Sequence, residues 1–172
     1  AERVKPFLDK LISPEQLAFV AGRQMVEGNR LIEYTIEYSI NMGLRGLIVA
    51  INFKKAFDSI LHAYLFDLLR EYHFPDYLIQ AVRALMCNGQ SSVNNNGAIM
   101  ENFPLGRSCH QGDPLAPYLF ILALEPLLRR LKAELIGIRG PEDGIVLSAY
   151  ADDLTLFLAS EAELTRAISI LN

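Results

Sequence analysis

The sequence predicts an α+β fold in which helices pack on one face of a small antiparallel sheet. Apolar residues recur at helical spacing over most of the chain, whereas the apolar runs at 47–51 and around Asp152-Asp153 have the length of strands. The order is helices, one strand, three more helices and a hairpin near the end, which is an α+β arrangement. With 172 residues, 51% of them hydrophobic, the chain is able to bury the core of one domain.

Two helices are predicted before the first strand. The segment FLDKLISPEQLAFV begins with a helix that ends at Ser13-Pro14 and continues into a turn. The second helix, within AGRQMVEGNRLIEYTIEYSINMG, carries an apolar stripe and is closed by Gly43, which suits a left-handed C-terminal position. The run LIVAI at 47–51 is rich in β-branched residues and is typical of a short buried strand.

Two further helices and a hairpin follow this strand. Apolar residues from Leu61 to Tyr72 predict an amphipathic helix, for which Asp58 or Ser59 serves as the N-cap. The segment DYLIQAVRALMCNG predicts another helix, ended by Gly89. The Asn-Gly pair in SSVNNNGAIMENFPL is a strong signal for two short strands joined by a tight turn.

The C-terminal part predicts a long helix, a hairpin and a final helix. DPLAPYLFILALEPLLRRLKAEL starts at a proline and contains Pro126 as a candidate kink. It is too short and too interrupted for a transmembrane helix, which needs about 18 or more apolar residues. GIVLSAYADDLTLFLAS predicts two apolar strands that meet at Asp152-Asp153, and EAELTRAISILN begins another helix.

Charge and cysteine content narrow the class of protein only slightly. Sixteen Lys and Arg against twenty Asp and Glu give a net charge of −4, which does not by itself indicate nucleic-acid binding. The N-terminus shows no signal-peptide pattern. Cys87 and Cys109 lack metal-site spacing, so we expect reduced, buried thiols, as in an intracellular protein.

The Asp152-Asp153 pair is the strongest chemical signal in the sequence. Adjacent carboxylates between apolar strands repel each other and lose hydration. They are either an exposed turn or a cation site, because Mg²⁺ in proteins takes one or two carboxylates together with substrate phosphates. Two-metal phosphoryl transfer needs a further carboxylate from a neighbouring strand. Asn52, at the end of the run 47–51, occupies that kind of position.

Three segments, in order, resemble the core motifs of reverse transcriptases, in particular those of non-LTR (LINE-like) retrotransposons. They are INFKKAFDSI, GRSCHQGDPLAPYLFILALEPLL and AYADDLTLFL. In the family, the first motif has an Asp, a few residues and then Ala-Phe-Asp. The second has Arg-Gln-Gly, one residue and Pro-Leu-Ser-Pro, and the third has an aromatic residue followed by Ala-Asp-Asp. ISPEQLAFVAGR similarly resembles the finger segment ahead of the palm. The match runs from Arg3 to about Leu158.

The resemblance implies a polymerase palm-and-fingers fold with a catalytic β-hairpin. Residues 1–45 correspond to partial fingers, and 46–172 to a palm with a finger-like helical insertion. The family's first finger motif would precede this sequence, and its thumb would follow it. We therefore expect a single reverse transcriptase-like domain, incomplete at both ends, whose thumb and endonuclease regions belong to a longer chain.

The resemblance also implies an activity, its cofactors and its partners. Relatives perform RNA-directed DNA synthesis with Mg²⁺ or Mn²⁺, using two ions, an RNA template, a DNA primer and deoxynucleoside triphosphates. Asp152 and Asp153 match the two metal-binding aspartates of the family. No membrane is expected among the partners, and the expected location is intracellular, in the nucleus or the cytoplasm.

Further residues match positions that bind nucleotide or template in the family. Phe57 matches the aromatic residue under the nucleotide sugar, which rejects a 2′-hydroxyl by its bulk. Gln111 and Gly112 match a tight turn at the nucleotide and template site, and Tyr150 matches the aromatic residue before the Asp pair. Arg23 lies in the finger segment. There it either contacts the template or the triphosphate, or is an ordinary turn residue.

Asn52 departs from the family pattern, which has its first catalytic Asp there. An amide oxygen is able to bind Mg²⁺ but brings no charge and bridges two cations poorly. Losing one carboxylate is expected to cost several kcal/mol, or on the order of a thousandfold in rate. Asp58, six residues further on, is not expected to substitute. His110 and Ala116 also replace the family's usual Arg and Ser.

Three interpretations follow from these motifs. The first is a fingers-and-palm segment of a non-LTR reverse transcriptase, impaired by Asn52. The second is a non-catalytic descendant, either a decayed copy or a nucleic-acid-binding or scaffold module. The third is another palm-type nucleotidyltransferase such as an RNA-dependent RNA polymerase, against which Phe57 argues because its bulk excludes a 2′-hydroxyl.

Overall fold

The computed structural model describes residues 4–87, 90–92, 94–96, 98–101, 103–104, 106–109, 113–140 and 144–172. The chain forms two compact units. The first comprises Ala1–Lys54 and Leu124–Asn172, and the second comprises Lys55–Ala123. This division differs from the boundary expected between residues 45 and 46, and the assignment of fingers and palm remains a prediction.

The elements follow the predicted order of helices, strand, helices and hairpin. The helices are α1 (Lys5–Leu11), α2 (Met25–Met42), α3 (Ala56–Ser59), α4 (His62–Glu71), α5 (Asp76–Cys87), α6 (Ala116–Glu134) and α7 (Glu161–Leu171). The strands are β1 (Leu47–Asn52), β2 (Gln90–Ser91), β3 (Asn94–Asn95), β4 (Ala98–Ile99), β5 (Phe103–Pro104), β6 (Ile138–Arg139), β7 (Gly144–Ile145), β8 (Leu147–Tyr150) and β9 (Asp153–Leu158).

The first unit is built on an antiparallel sheet with the strand order β1-β9-β8. β1 pairs with β9 from Leu47 opposite Leu158 to Asn52 opposite Asp153. β9 also pairs with β8, where Tyr150 lies opposite Asp153. The two predicted strands around Asp152-Asp153 are therefore confirmed, and the register brings the end of β1 level with the hairpin turn.

Alternate side chains of a strand lie on the same face of a sheet, and those of β9 that share one face are buried. Leu154, Leu156 and Leu158 of β9 are almost fully buried. Helix α6 supplies Leu128 and Leu131, which are equally inaccessible to solvent. The helices thus cover one face of a small antiparallel sheet, as predicted.

Strand β1 is not the buried strand that its composition predicts. Its residues alternate between intermediate and exposed, and Ile48 is 39% exposed. The alternation arises because successive side chains of a strand point to opposite faces of the sheet. β1 also lies at the edge of the three-stranded sheet, with its paired strand on one side only in the described chain. The exposed positions on β1 are Ile48, Ala50 and Asn52, so this strand presents a row of accessible side chains that ends at Asn52.

The second unit contains the predicted helical stretch but caps its helices differently. Asp58 and Ser59 lie in the short helix α3, and neither caps α4, whose N-cap residue is Leu61. The chain turns extended at Ile60, and the Ile60 carbonyl accepts a hydrogen bond from Ser108 N at 3.0 Å. That backbone pairing separates α3 from α4, which a helical pattern alone does not reveal.

The remaining sequence-based expectations hold where the structure describes them. Gly43 ends α2 in the left-handed conformation with φ +64°. β3 and β4 form the hairpin predicted from Asn-Gly, although Gly97 lies outside the described residues, as does Gly89, the predicted end of α5. Helix α6 continues through Pro126.

Cys109 is buried in the second unit, as expected for a reduced thiol. Burial, helped by the neighbouring Asp113 carboxylate, raises the pKa of the Cys109 thiol to about 11. Because the reactive form of a cysteine is the thiolate, this thiol is inert at neutral pH.

Candidate active site

The candidate site is centred on the turn that joins β8 to β9. Tyr150 and Asp153 are the last paired residues, so the turn itself consists of Ala151 and Asp152. Ala151 has φ +54°, whereas the φ of Asp152 is not positive. A positive φ at the first turn residue alone is the pattern of a type II′ turn, where glycine is the usual occupant. Alanine in this conformation costs about 1 to 3 kcal/mol, which the surroundings must offset.

The sheet register places three predicted site residues side by side. Asn52 lies opposite Asp153 on one neighbouring strand, and Tyr150 lies opposite Asp153 on the other. Directly opposed residues of antiparallel strands project from the same face of a sheet. The Asn52 amide Nδ2 donates a hydrogen bond to Asp153 Oδ1 at 3.2 Å. Residue 52 therefore reaches the aspartate pair, as its position at the end of a strand predicted.

The donor set fits a hard divalent cation. Asp153 and Asn52 are exposed and Asp152 is partly exposed, so all three are accessible to solvent. Two carboxylates and an amide oxygen are the kinds of ligand that Mg²⁺ accepts, with the rest of its shell supplied by water and phosphate. The described residues contain no cluster of three or more His, Cys, Asp or Glu able to hold a metal. Asn52 thus leaves the site one carboxylate short of a cluster of three.

Gln16 holds the backbone of the strained turn residue. Its Nε2 donates to the Ala151 carbonyl at 3.2 Å, and its Oε1 accepts from Ala151 N at 2.9 Å. The same oxygen accepts from Ala18 N at 3.0 Å. The Gln16 side chain is fully buried. Both backbone polar groups of Ala151 are therefore paired by a single side chain that is distant in sequence.

The loop that carries Gln16 runs along β8 as an extra short strand. Ala149 N donates to the Glu15 carbonyl, and Leu17 N donates to the Ala149 carbonyl, each at 2.8 Å. Gln16 and Ala149 form an isolated parallel bridge. The loop is thereby aligned with the strand that leads into the turn.

Two charged side chains fix the start of this loop. The carboxylate of Glu125, which is fully buried, accepts from Ser13 N and Ser13 Oγ, each at 3.1 Å. The Arg23 guanidinium donates to the carbonyl oxygens of Ser13, Gln16 and Ile12. Of the two roles expected for Arg23, these contacts favour the structural one, since its donors are directed at the loop.

The other predicted nucleotide contacts fall in the second unit or outside the described residues. The Phe57 ring stacks on Phe120 with a centroid separation of 4.2 Å and an interplanar angle of 19°. Asp58 Oδ1 accepts a hydrogen bond from Ser108 Oγ at 3.1 Å. Gln111 and Gly112, together with His110 before them, lie outside the described residues. The roles of all these residues remain predictions.

Sequence and structure comparisons establish the family. The profile of the family described as reverse transcriptase (RNA-dependent DNA polymerase) matches residues 1–172. The chain belongs to the reverse transcriptase family. Its relatives include the uncharacterized 149 kDa protein of transposon TX1 from Xenopus laevis, which is 32% identical over 167 residues. This alignment covers 96% of the chain and 13% of that protein.

Two further relatives of this reverse transcriptase domain are retrotransposon proteins. The retrovirus-related Pol polyprotein of the type-2 element R2DM from Drosophila melanogaster is 33% identical, over 84% of the chain and 14% of that protein. The Pol polyprotein of a type-1 element R2 from Nasonia vitripennis is 29% identical, over 92% of the chain and 15% of that protein. The domain therefore resembles the RNA-directed DNA polymerases of non-LTR retrotransposons, and it spans about a seventh of their length.

Solved structures confirm the fold of the reverse transcriptase domain. Telomerase from Candida albicans, in complex with a fragment of telomeric RNA, matches 98% of the chain with a TM-score of 0.72 and 11% identity. That match covers 30% of the telomerase chain. Apo telomerase from Candida tropicalis matches 99% of this chain and 35% of its own, with a TM-score of 0.69. Within the described residues, no helix has the length and apolarity needed to cross a membrane.

Sequence reasoning missed the buried polar residues that support the site. Gln16 lies in a segment that resembles the family's fingers, but nothing in its local pattern predicts a contact with Ala151, 135 residues away. The sequence gives a weak indication for Glu125, because it is an acidic residue inside the otherwise apolar run LFILALEPLL. A buried carboxylate needs partners, so its position within a core helix predicts a polar contact without identifying Ser13.

Proposed function

We propose that this chain is the fingers-and-palm part of a non-LTR retrotransposon reverse transcriptase that catalyses RNA-directed DNA synthesis. The observation that carries the proposal is the alignment of residue 52 with Asp153, beside Asp152, at the solvent-accessible end of the sheet. The shared family and fold support the same assignment. The proposed substrates are an RNA template, a DNA primer and deoxynucleoside triphosphates, so we place the activity inside the cell.

Asp152 and Asp153 would hold the divalent cation, Mg²⁺ or Mn²⁺, in this site. When bound, divalent cations activate the primer 3′-hydroxyl and stabilise the charge of the leaving pyrophosphate. The two side chains provide negative charge on adjacent residues, and the turn between β8 and β9 places both residues at the end of the sheet. The relatives' two-ion arrangement would require residue 52 to contribute charge as well.

Asn52 weakens this site in two ways. It removes one negative charge from the position opposite Asp153, which lowers the attraction for cations. Its amide also donates a hydrogen bond to Asp153 Oδ1, which occupies one oxygen of a proposed metal ligand. We therefore propose that the unmodified chain is severely impaired or inactive as a polymerase.

The nucleotide-binding residues of the proposal are those that match the family motifs. Phe57 would lie under the sugar and exclude a 2′-hydroxyl, and its stacking on Phe120 restricts the movement of its ring. Gln111, Gly112 and Tyr150 would line the nucleotide and template site. Arg23 is the remaining residue of this set, and its guanidinium already binds backbone carbonyl groups of the 12–16 loop.

Primer extension with an RNA template tests the proposed function. The unmodified chain and Asn52→Asp are compared, with Asn41→Asp on the exposed surface of α2 as a control of equal charge. We expect Asn52→Asp to extend the primer on the order of a thousandfold or more faster, since the restored carboxylate contributes several kcal/mol. Asn41→Asp should have no effect. Robust synthesis by the unmodified chain would contradict the proposed impairment.

A non-catalytic template-binding module is the second candidate, and Asn52 itself favours it. The Asn52 amide stabilises Asp153 without any cation, as a retained scaffold would require. This candidate predicts RNA binding of equal strength in Mg²⁺ and in EDTA, together with no gain of synthesis in Asn52→Asp. Binding that strengthens with Mg²⁺ would favour the polymerase instead.

A further inference from the structure

The turn between β8 and β9 leaves backbone groups that the hairpin itself does not pair. In a two-residue hairpin the flanking residues, here Tyr150 and Asp153, form the last pair of the ladder. The N–H and the carbonyl of Ala151 therefore have no partner in the ladder. Ala151 is only 7% exposed, so water is a poor substitute. Buried backbone groups of this kind need partners from elsewhere in the chain.

Gln16 supplies both partners at once. A primary amide presents a donor and an acceptor in the same plane, as a peptide group does, and the Gln16 amide binds both the carbonyl and the N–H of Ala151. The side chain therefore acts as one more peptide unit of the short strand that Glu15 and Leu17 form along β8. Because the two bonds define the direction of the Ala151 peptide groups, they also stabilise its positive φ.

The position of Gln16 is itself fixed by contacts that Glu125 and Arg23 make with the loop. Glu125 binds both the N–H and the hydroxyl of Ser13, and Arg23 binds the carbonyl of Gln16 at 2.8 Å. Gln16 has no exposed surface, so its amide has no alternative set of water contacts. The loop is thus a rigid support, and the Gln16 amide is the part of it that contacts the turn.

We infer that Gln16 is the positioning residue of the metal-binding hairpin, holding Ala151 at its positive φ so that Asp152 and Asp153 present their carboxylates together. Gln16 acts through the Ala151 backbone and does not touch the reacting atoms. The inference rests on the proposed function for the identity of the metal-binding residues. The conformational part, that Gln16 stabilises the positive φ of Ala151, is independent of any metal.

Hydrogen exchange of the Ala151 amide tests the conformational part. Gln16→Met retains side-chain length and removes both bonds to Ala151, so we expect exchange at Ala151 to accelerate at least tenfold. Gln16→Glu retains the accepting oxygen and should lose less protection. Thr35→Val, which removes a different buried hydrogen bond in the same unit, controls for general loss of stability. Unchanged exchange at Ala151 in a folded Gln16→Met chain would overturn the inference.

A double-mutant cycle separates positioning from a merely structural role. Glycine adopts a positive φ without strain, so Ala151→Gly should make the turn less dependent on Gln16. Mn²⁺ binding is followed by electron paramagnetic resonance in the Asn52→Asp background. There we expect Gln16→Met to weaken binding at least fivefold when Ala151 is retained, and less than twofold when Ala151→Gly is also present. Equal losses with and without Ala151→Gly would overturn the positioning role.

The two readouts distinguish failure of this inference from failure of the proposed function. If Asn52→Asp neither binds Mn²⁺ nor extends a primer with Gln16 intact, the proposed function fails, and exchange at Ala151 alone decides whether Gln16 fixes the turn. If Asn52→Asp binds Mn²⁺ and extends a primer, but Gln16→Met retains both the affinity and the Ala151 protection, only the role of Gln16 fails.

Discussion

Asn52 and an aspartate at the same position differ by one non-hydrogen atom, yet they present opposite hydrogen-bonding groups to Asp153. The amide donates to the Asp153 carboxylate, so the pair is stable without a cation. An aspartate there would place two carboxylates opposite each other, which is unfavourable until a cation lies between them. We therefore expect the replacement of Asn52 by aspartate to lower the stability of the metal-free chain and to raise its affinity for a divalent cation.

The sugar specificity proposed for Phe57 gives a prediction at the same scale. In the Asn52→Asp background, Phe57→Val should raise the ratio of ribonucleotide to deoxynucleotide kcat/KM by about tenfold or more, because the steric barrier to the 2′-hydroxyl is removed. Single-nucleotide incorporation measures the ratio. Phe7→Val, on an exposed position of α1, is the control. An unchanged ratio would show that Phe57 does not face the sugar.

The resemblance to known motifs identified single residues unevenly. It indicated Asp152, Asp153 and Asn52; the register of the sheet places Asn52 opposite Asp153, and the role of the three residues remains a prediction. It could not assign Arg23, because an arginine in a turn has the same local pattern whether it binds a phosphate or backbone carbonyl groups. The three carbonyl oxygens within hydrogen-bond distance of the Arg23 guanidinium favour the structural role.

At the scale of elements, helix α7 is attached to the sheet through a buried acid. Glu163, in its first turn, accepts hydrogen bonds from Gly137 N at 3.3 Å and from Ala159 N at 2.7 Å, and also from Ile136 N. Ser160 caps the same helix by accepting from Glu163 N. A Ser followed three residues later by Glu is the sequence of a capping box, but here the carboxylate binds Ala159 N, just before the cap, and the 136–137 segment.

Removing this carboxylate should destabilise the fold. Glu163→Ala leaves three backbone N–H groups without their acceptor, so we expect the free energy of unfolding to fall by about 3 kcal/mol. Urea denaturation followed by circular dichroism measures the change. Glu161→Ala, in the same turn of α7 but exposed, should change it by less than about 0.5 kcal/mol. Equal effects of the two substitutions would contradict the role of Glu163.

Element types were easier to predict than their environments. The apolar periodicity located α2, α6 and the hairpin strands, because those patterns depend on local sequence alone. It placed β1 in the core, whereas β1 lies at a sheet edge with every second side chain exposed. It also assigned the cap of α4 to Asp58 or Ser59, since the break at Ile60 depends on pairing with Ser108, 48 residues further along the chain.

At the scale of the whole molecule, the fold is retained where the sequence is not. The telomerase structures share the fold with this chain at 11% identity. Such divergence is tolerated because a core needs apolar residues of suitable volume more than particular ones. The site is less tolerant, because metal binding depends on charge at a few fixed positions. We therefore expect Asn52 to affect the proposed activity without disturbing the architecture around it.

Thermal unfolding with and without Mn²⁺ tests the central claim most directly, that residue 52 and Asp152-Asp153 form one metal site. In EDTA, Asn52→Asp should melt at a lower temperature than the unmodified chain, because its carboxylate faces Asp153 without a cation. With Mn²⁺ its melting temperature should rise further than that of the unmodified chain. A tenfold gain in affinity corresponds to about 1.4 kcal/mol, or about 3 to 5 °C for a chain of this size.

Asn41→Asp, with the same change of charge on the surface of α2, is the control and should respond to Mn²⁺ as the unmodified chain does. We expect only Asn52→Asp to combine the lower melting temperature in EDTA with the larger rise in Mn²⁺. An equal rise in Asn52→Asp and in the unmodified chain would contradict the proposed metal site.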